Sequence, residues 1–462
     1  MAINICCIGA GYVGGPTMAV IADFCPNILV NVVDINEDRI NAWNNKNLNK
    51  LPIFEPGLKE IVERVRNKNL FFSKSIKSAI ENADIIFISV NTPIKKNGLG
   101  AGKASDLRWV ESSARQIKSF SKGHTIVVEK STLPVRTAET IRSILQSSNS
   151  SERDTNQKKT YSILSNPEFL AEGTAIEDLR NPDRILIGGE DEYAIKTLIN
   201  IYENWIPKSK IICTNLWSSE LSKLMANAFL AQRISSINTV SAICESTGAD
   251  VQEVSLAIGM DTRIGNKFLN SGPGFGGSCF KKDILNIVYL AEFYGLKEVG
   301  DYWKSIIEIN NWQKKRIYKI IVEKLYGNLA NKKIAILGFS FKANTNDIRE
   351  SPAISICNNL LNEGAIISIH DPKVDKQTIM VNLEVNNHDN IYVEDDIDTA
   401  VLNSDAILIL TDWDEYKNLN YEHFSKLMRK PAWVFDTRSV VNIEKIKNTD
   451  LKFWKIGYGI SE

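Results

Sequence analysis

Five short runs in the first half of the chain, NICCIGA, LVNVVDI, ADIIFISV, HTIVVE and YSILSN, are apolar almost throughout rather than at alternate positions. A half-exposed strand alternates apolar and polar residues, whereas a strand with no polar face must be covered on both sides. Helical stretches separate these runs, so the first segment predicts a parallel sheet with helices on both faces. From about Ser218 to Gly327 the strand signal almost vanishes. Long amphipathic runs such as SSELSKLMANAFLAQRISSINTVSAICEST and DYWKSIIEINNWQKKRIYKIIVEKLYG take its place. Strands then return as KKIAILGF, AIISIHDP, DAILILTD and AWVFDTR.

The 462 residues exceed one ordinary core, and the pattern divides them into 1–215, 216–327 and 328–462. The outer segments echo each other in order. INICCIGAG and KIAILGFSF are each a strand running into a glycine turn, and LVNVVD and IISIHD each end in an acid, Asp34 or Asp371. The expected fold is α/β: two doubly wound parallel sheets joined by a central helical segment. The polar stretches Leu145 to Thr160 and Asn44 to Lys50 read as solvated surface loops.

The formal charge is zero and the pI near 6.9, which gives no basic face for nucleic acid and no polybasic membrane anchor. The opening MAINICCIGAGYVG lacks a basic leader, and no apolar run reaches spanning length. The seven cysteines are scattered without CxxC spacing, the pattern of reduced thiols in a cytoplasmic protein. His124, His370, His388 and His423 stand apart from one another and from cysteines, so no metal site is expected.

Gly9-Ala10-Gly11-Tyr12-Val13-Gly14 fits GxGxxG directly after a strand and at the start of a helix, with Asp34 closing the next strand. In that context Gly9 permits the turn, Gly11 lets the backbone approach a pyrophosphate and Gly14 lets helix and strand pack closely. Asp34 would accept from the adenosine ribose, and an acid there favours NAD over NADP. The later turn, Gly338-Phe339-Ser340-Phe341-Lys342, lacks the second and third glycines. A nucleotide diphosphate helped by Lys342 and Arg349, or an empty sheet, fits it equally.

SELSKLMANAF puts Lys223 and Asn227 on one helical face among apolar neighbours, where a buried lysine can hold an oxyanion. SGPGFGGSCFKKD places Cys279 behind four glycines. Ser278 is expected to cap a helix whose first turn holds Cys279, with Asp283 one turn on and Lys281 and Lys282 between. Such a terminus favours a thiolate nucleophile over an inert core thiol.

These motifs resemble the UDP-glucose 6-dehydrogenase family over essentially the whole chain: GAGYVGGP, VNTP, EKSTLPVRT, NPEFLAEGTAIEDLRNPDRILIGG, SSELSKLMANAFLAQRISSIN, RIGNKFL, GFGGSCFKKD, FSFKANTNDIRESPA and FDTR. The resemblance implies two Rossmann-like domains about a central helical dimerisation domain, and NAD-dependent oxidation of UDP-glucose to UDP-glucuronate. Cys279 would carry a thiohemiacetal and then a thioester. Lys223 and Asn227 would stabilise oxyanions, Asp283 would join Lys223 in the proton relay, and Glu168 and Thr132 would activate and orient water. On the cofactor side it adds Arg39, Val90, Asn91, Thr92, Ser131, Thr132, Glu172, Lys282 and Arg349 to Gly9, Gly11, Tyr12, Val13, Gly14 and Asp34. On the sugar-nucleotide side it implies Phe169, Leu170, Ala171, Glu172, Lys267, Phe275, Gly276, Phe341, Lys342 and Arg438. Arg263 would reach the site from a neighbouring subunit, so a homo-oligomer, at least a dimer, is expected.

The chain departs from the family pattern at Asn270, Ala343, Asn344 and Ser439, and at Lys281, where bacterial members carry proline. Dehydrogenases of GDP-mannose or of UDP-N-acetylhexosamines are the nearest alternatives. A two-electron hydroxyacid dehydrogenase, which needs no thiol, and a silent sugar-nucleotide sensor are more distant ones.

Overall fold

The computed structural model describes residues 3–147, 159–383 and 389–459. Most of the polar stretch 145–160, and His388, lie outside the described residues. The chain forms two compact units, Met1–Ala226 and Asn227–Glu462.

The first unit is built on eight strands: β1 (Asn4–Ile8), β2 (Leu29–Val33), β3 (Leu70–Ser73), β4 (Ile85–Ile88), β5 (His124–Glu129), β6 (Thr160–Ser165), β7 (Ile185–Gly188) and β8 (Ile211–Thr214). Their order is β3-β2-β1-β4-β5-β6-β7-β8. All neighbours run parallel except β6 and β7, which meet antiparallel at Ser165 and Gly188. The absence of a polar face is explained by the two layers that cover the sheet. Ile5 and Cys7 of β1 join a core with Met18, Ile21, Trp43 and Ile61. Cys6 and Ile8 point the other way, into a core with Val110, Ile117 and Ile141. The chain order reverses between β1 and β4, the switch point where doubly wound sheets take ligands.

The second unit combines helices Val251–Gly259, Phe280–Phe293 and Lys297–Lys324 with a six-stranded, wholly parallel sheet. Its strands are β9 (Lys333–Leu337), β10 (Ile366–His370), β11 (Ile391–Val393), β12 (Ala406–Ile409), β13 (Trp433–Asp436) and β14 (Lys452–Lys455), in the order β11-β10-β9-β12-β13-β14. Again the first strand splits by pleat, Ile334 and Ile336 to one core and Ala335 and Leu337 to the other.

The echo between the outer segments is structural. The first turn glycines, Gly9 (φ 112°) and Gly338 (φ 94°), both occupy backbone conformations closed to side chains. Each N–H donates to the residue ending the second strand, Gly9 to Val33 O at 2.8 Å and Gly338 to His370 O at 2.9 Å. A Cβ on Gly9 would fall 2.1 Å from Ser89 O, and one on Gly338 2.3 Å from Thr411 Cβ. The acids that follow both close their own turns. Asp34 Oδ2 accepts from Ala10 N–H at 2.8 Å, and Asp371 Oδ2 from Phe339 and Ser340 N–H at 2.7 and 3.0 Å.

Candidate active site

In the first unit the nucleotide turn opens the buried helix Gly14–Phe24. Gly14 packs where a Cβ would lie 2.0 Å from Gly9 O, while a Cβ on Gly11 would meet nothing within 4 Å. Close packing behind the turn and open space over its middle suit a pyrophosphate lying on the backbone. Asp34 is buried, accepts from Asn36 N–H at 2.9 Å and pairs with Arg39 at 3.0 Å. Tyr12 donates to Phe54 O at 3.2 Å, and Val13 immediately precedes the helix. Gly9, Gly11, Gly14 and Asp34 thus gather at one turn, with Arg39 alongside.

The loops after β4 and β5 are stitched together. Ser131 Oγ donates to Val90 O at 2.7 Å, and Thr92 Oγ1 donates to Thr132 O at 3.0 Å. Asn91 lies exposed between Val90 and Thr92. Backbone N–H groups of Lys130 and Ser131 both reach Ile88 O, which fixes the start of the second loop against the sheet.

Glu168 is organised by that same loop. Its Oε2 pairs with Lys130 Nζ at 2.9 Å, and its Oε1 accepts from Phe169 and Leu170 N–H at 2.8 and 3.2 Å. Lys130 also donates to Asn166 Oδ1 at 3.0 Å and to Tyr202 Oη at 3.3 Å. Burial works against the Lys130 ammonium, but Glu168 and Tyr202 outweigh it and hold its pKa above the usual lysine value. The following loop, with Phe169, Leu170, Ala171 and Glu172, is pinned by acids. Ala171 N–H donates to Asp178, and Gly173 and Ala175 N–H donate to the two oxygens of buried Glu55 at 2.6 and 3.0 Å. The Phe169 ring lies under the Arg184 guanidinium at 3.8 Å and 5.2 Å from Lys223 Nζ. Lys223 is buried, as its apolar neighbours imply.

The helix Leu216–Thr247 carries both Lys223 and Asn227. In the second unit Asn227 Nδ2 donates to Asp283 Oδ2 at 2.6 Å, and Lys282 Nζ lies 3.2 Å from Asp283 Oδ1. Asp283 is completely buried, whereas Cys279 is exposed. One helical turn joins them, through Asp283 N–H to Cys279 O at 2.9 Å.

One expectation about this loop needs correction. Ser278 does not cap the helix: Cys279 occupies the N-cap position of Phe280–Phe293, and the Ser278 hydroxyl lies 3.6 Å from the Cys279 thiol. Cys279 therefore stands at the helix entrance, not within its first turn. The glycines before it also pack closely against protein. A Cβ on Gly276 would lie 2.7 Å from Phe341 Cβ and 2.8 Å from Glu350 O, and Gly277 N–H donates to Arg349 O at 2.7 Å. Phe275 is buried and exchanges hydrogen bonds with Asn310, its N–H donating at 2.8 Å and its carbonyl accepting at 3.1 Å.

Phe341 O accepts from Arg438 at 3.1 Å, and Lys342 Nζ lies 5.8 Å from the Phe341 ring, so the turn after β9 collects three of the expected sugar-nucleotide residues. The variant Lys281 is bound by both oxygens of Glu350 at 2.8 and 2.9 Å. Arg349 is held on Asp347 at 2.9 Å. Lys267 and Arg263 are exposed, and Arg263 chelates Asp261 within its own turn.

Comparison with known proteins decides the family. The NAD-binding domain of the UDP-glucose/GDP-mannose dehydrogenase family matches residues 3–206, its central domain 217–312 and its UDP-binding domain 335–443. The chain belongs to this family. It is 52% identical over 475 residues to UDP-glucose 6-dehydrogenase 4 of Arabidopsis thaliana, covering 98% of this chain and 97% of the relative. It is 54% identical over 453 residues to UDP-glucose 6-dehydrogenase of Mus musculus, covering 95% and 90%. A UDP-glucose dehydrogenase structure from Pyrobaculum islandicum superposes with a TM-score of 0.84 at 30% identity, covering 100% of this chain and 98% of that one.

Membership in the family supplies NAD as the cofactor and a UDP-sugar as the substrate class. Pattern reading did not single out Lys130, Glu55, Asn310 or Asp347. For Lys130 a signal exists: it directly follows a strand with no polar face, so its charge had to be buried and partnered. No helix among the described residues is long and apolar enough to cross a membrane.

Proposed function

We infer that this chain is a UDP-glucose 6-dehydrogenase, oxidising the 6-hydroxymethyl group of UDP-glucose to the carboxylate of UDP-glucuronate with two NAD and one water. The observation that carries the thiol mechanism is the exposed Cys279 at a helix entrance, one turn from a buried Asp283 bonded to Asn227. A two-electron alcohol dehydrogenase has no use for such a thiol.

NAD, when bound, accepts one hydride from C6 in each of two oxidations. Between them the Cys279 sulfur bonds to C6 of the aldehyde, giving a thiohemiacetal whose oxygen carries developing charge. Lys223 and Asn227 stabilise that charge. Loss of the second hydride leaves a thioester. Water then adds, the C–S bond breaks, and carboxylate and thiolate are released. Glu168, held by Lys130, takes the proton of that water, and Thr132 orients it. Asp283 with Lys223 relays the proton of the first step. Gly9, Gly11, Gly14, Asp34 and Arg39 hold the dinucleotide, with Tyr12, Val13, Val90, Asn91, Thr92, Ser131, Glu172, Lys282 and Arg349. Phe169, Leu170, Ala171, Lys267, Phe275, Gly276, Phe341, Lys342 and Arg438 hold the sugar nucleotide.

In this reading residues 1–215 bind NAD, 216–327 associate with another copy, and 328–462 bind the UDP moiety. Arg263, 87% exposed on its turn, completes a neighbouring subunit's site. The enzyme works in the cytoplasm. Sedimentation with and without UDP-glucose tests the association.

The deciding experiment counts NADH per sugar with UDP-glucose, GDP-mannose and UDP-N-acetylhexosamines. Two NADH per UDP-glucose and slow turnover of the others are expected. Equal or better turnover of GDP-mannose overturns the substrate assignment, and one NADH per UDP-glucose overturns the four-electron mechanism.

A further inference from the structure

Glu129 ends β5, in register with Ile88 of β4 on one side and Ser165 of β6 on the other. It is 1% exposed, and no N–H or O–H donor among the described residues reaches either carboxyl oxygen. The side chain it meets is Glu220, itself buried. Glu220 is already engaged as an acceptor: its Oε2 takes Arg136 N–H at 2.7 Å and its Oε1 takes Ala138 N–H at 2.9 Å, at the start of the helix Thr137–Gln146.

Among the described residues no cation offsets the two acids. Lys130 is committed to Glu168. Arg136 lies 4.0 Å from Glu139 and 5.6 Å from the Trp217 ring centroid. Glu139 adds a further negative charge near Glu220. Two ionised carboxylates have only acceptors and cannot hydrogen-bond each other, whereas a carboxylic acid donates to a carboxylate.

We propose that Glu129 and Glu220 hold one proton between them, and that this shared proton is a positioning device for the active site. The proton sits on Glu129, because the two backbone N–H groups at Glu220 favour its charged form. Glu129 directly precedes Lys130, Ser131 and Thr132, and Glu220 lies three residues before Lys223 on its helix. The hydrogen bond therefore ties the loop that holds Glu168 to the helix that presents Lys223. Burial, reinforced by Glu220, lifts the Glu129 carboxyl well above the ordinary range.

Glu129→Gln supplies a neutral donor of the same shape and separates this device from mere packing. A carboxylic-acid carbonyl band should be present in the infrared spectrum of the wild type at neutral pH and missing from E129Q. An acid with a raised folded pKa makes the folded state bind the extra proton, so its contribution to stability falls as pH rises above the unfolded value of about 4.3. The melting temperature of E129Q relative to wild type should therefore climb between about pH 5 and pH 8. For turnover, E129A should lose about tenfold in kcat, while E129Q stays within about twofold.

An unchanged infrared band, or a melting difference independent of pH, overturns the shared proton. Equal kcat losses in E129A and E129Q, or none in E129A, overturn the positioning role. Only the kinetic arm rests on the dehydrogenase reading; the spectroscopic and stability arms stand without it.

Discussion

Lys130 Nζ lies 2.9 Å from Glu168 Oε2, with the lysine side chain 1% exposed. Lys130→Met would leave the carboxylate facing a buried space without its ion-pair partner. Stability should fall by about 3–5 kcal/mol, the usual cost of breaking a buried pair from one side. Urea unfolding measures this, and a loss below about 1 kcal/mol would show the pair to be ordinary surface electrostatics. Because Lys130 holds its proton more tightly when folded, its contribution is fully present below the ordinary lysine value of about 10.4. It is lost only as pH rises through the higher folded value, so the K130M deficit should be constant between pH 6 and about pH 9.

Cys279→Ser should stop the reaction at the acyl stage. Serine can form the ester but releases it poorly, so turnover should drop below about 1% of wild type. Intact-mass analysis after mixing with UDP-glucose and NAD should show a covalent sugar-nucleotide adduct. Full turnover to UDP-glucuronate by this variant would refute the thioester.

Gly11 and Gly276 should respond to alanine in opposite ways. A Cβ on Gly11 meets nothing within 4 Å, so Gly11→Ala should melt within about 2 °C of wild type yet bind NAD at least about tenfold more weakly. A Cβ on Gly276 would press into Phe341 and Glu350, so Gly276→Ala should lower the melting temperature and kcat together. Paired thermal melts and NAD titrations distinguish the two. An unaltered NAD affinity in G11A would place the pyrophosphate elsewhere.

Asp34→Ala should weaken NAD binding by about 1–3 kcal/mol, the range for an unpaired buried hydrogen-bonding group. Calorimetry reads this directly. Unchanged affinity would remove Asp34 from the cofactor site and leave it as the clamp on Ala10 and Arg39.

The two sheets were readable because their central strands have no polar face, as in Ile85–Ile88 and Ala406–Ile409. The strands that escaped notice are short, and most are outer ones: Leu70–Ser73, Ile211–Thr214, Ile391–Val393 and Lys452–Lys455 form sheet edges. An edge strand keeps exposed positions, as Ile212 and Tyr392 do, and its pattern blurs into loop. Local spacing revealed Cys279 and Asp283, one turn apart. It could not reveal that Asp283 meets Asn227, 56 residues away, or that Lys130 meets Glu168, because those pairings depend on how separate elements pack. The helix at Cys279 began one residue later than serine's capping preference suggested. The loop glycines, held against Phe341 and Arg349, set the entrance instead.

The twin acids Asp34 and Asp371 look interchangeable in the sequence, but their remaining capacity to accept differs. A carboxylate offers about four lone-pair sites. Asp371 already receives Phe339, Ser340, Lys373 and Val374 N–H, with the Trp413 indole at 3.3 Å besides. Asp34 receives only Ala10, Asn36 and Arg39 among the described residues. Saturation makes Asp371 a fastener with nothing left to offer a ribose. The same fold and the same residue type thus give one sheet an acid with accepting capacity to spare and the other a plain structural knot. Counting spare lone pairs separates the two where motif matching does not.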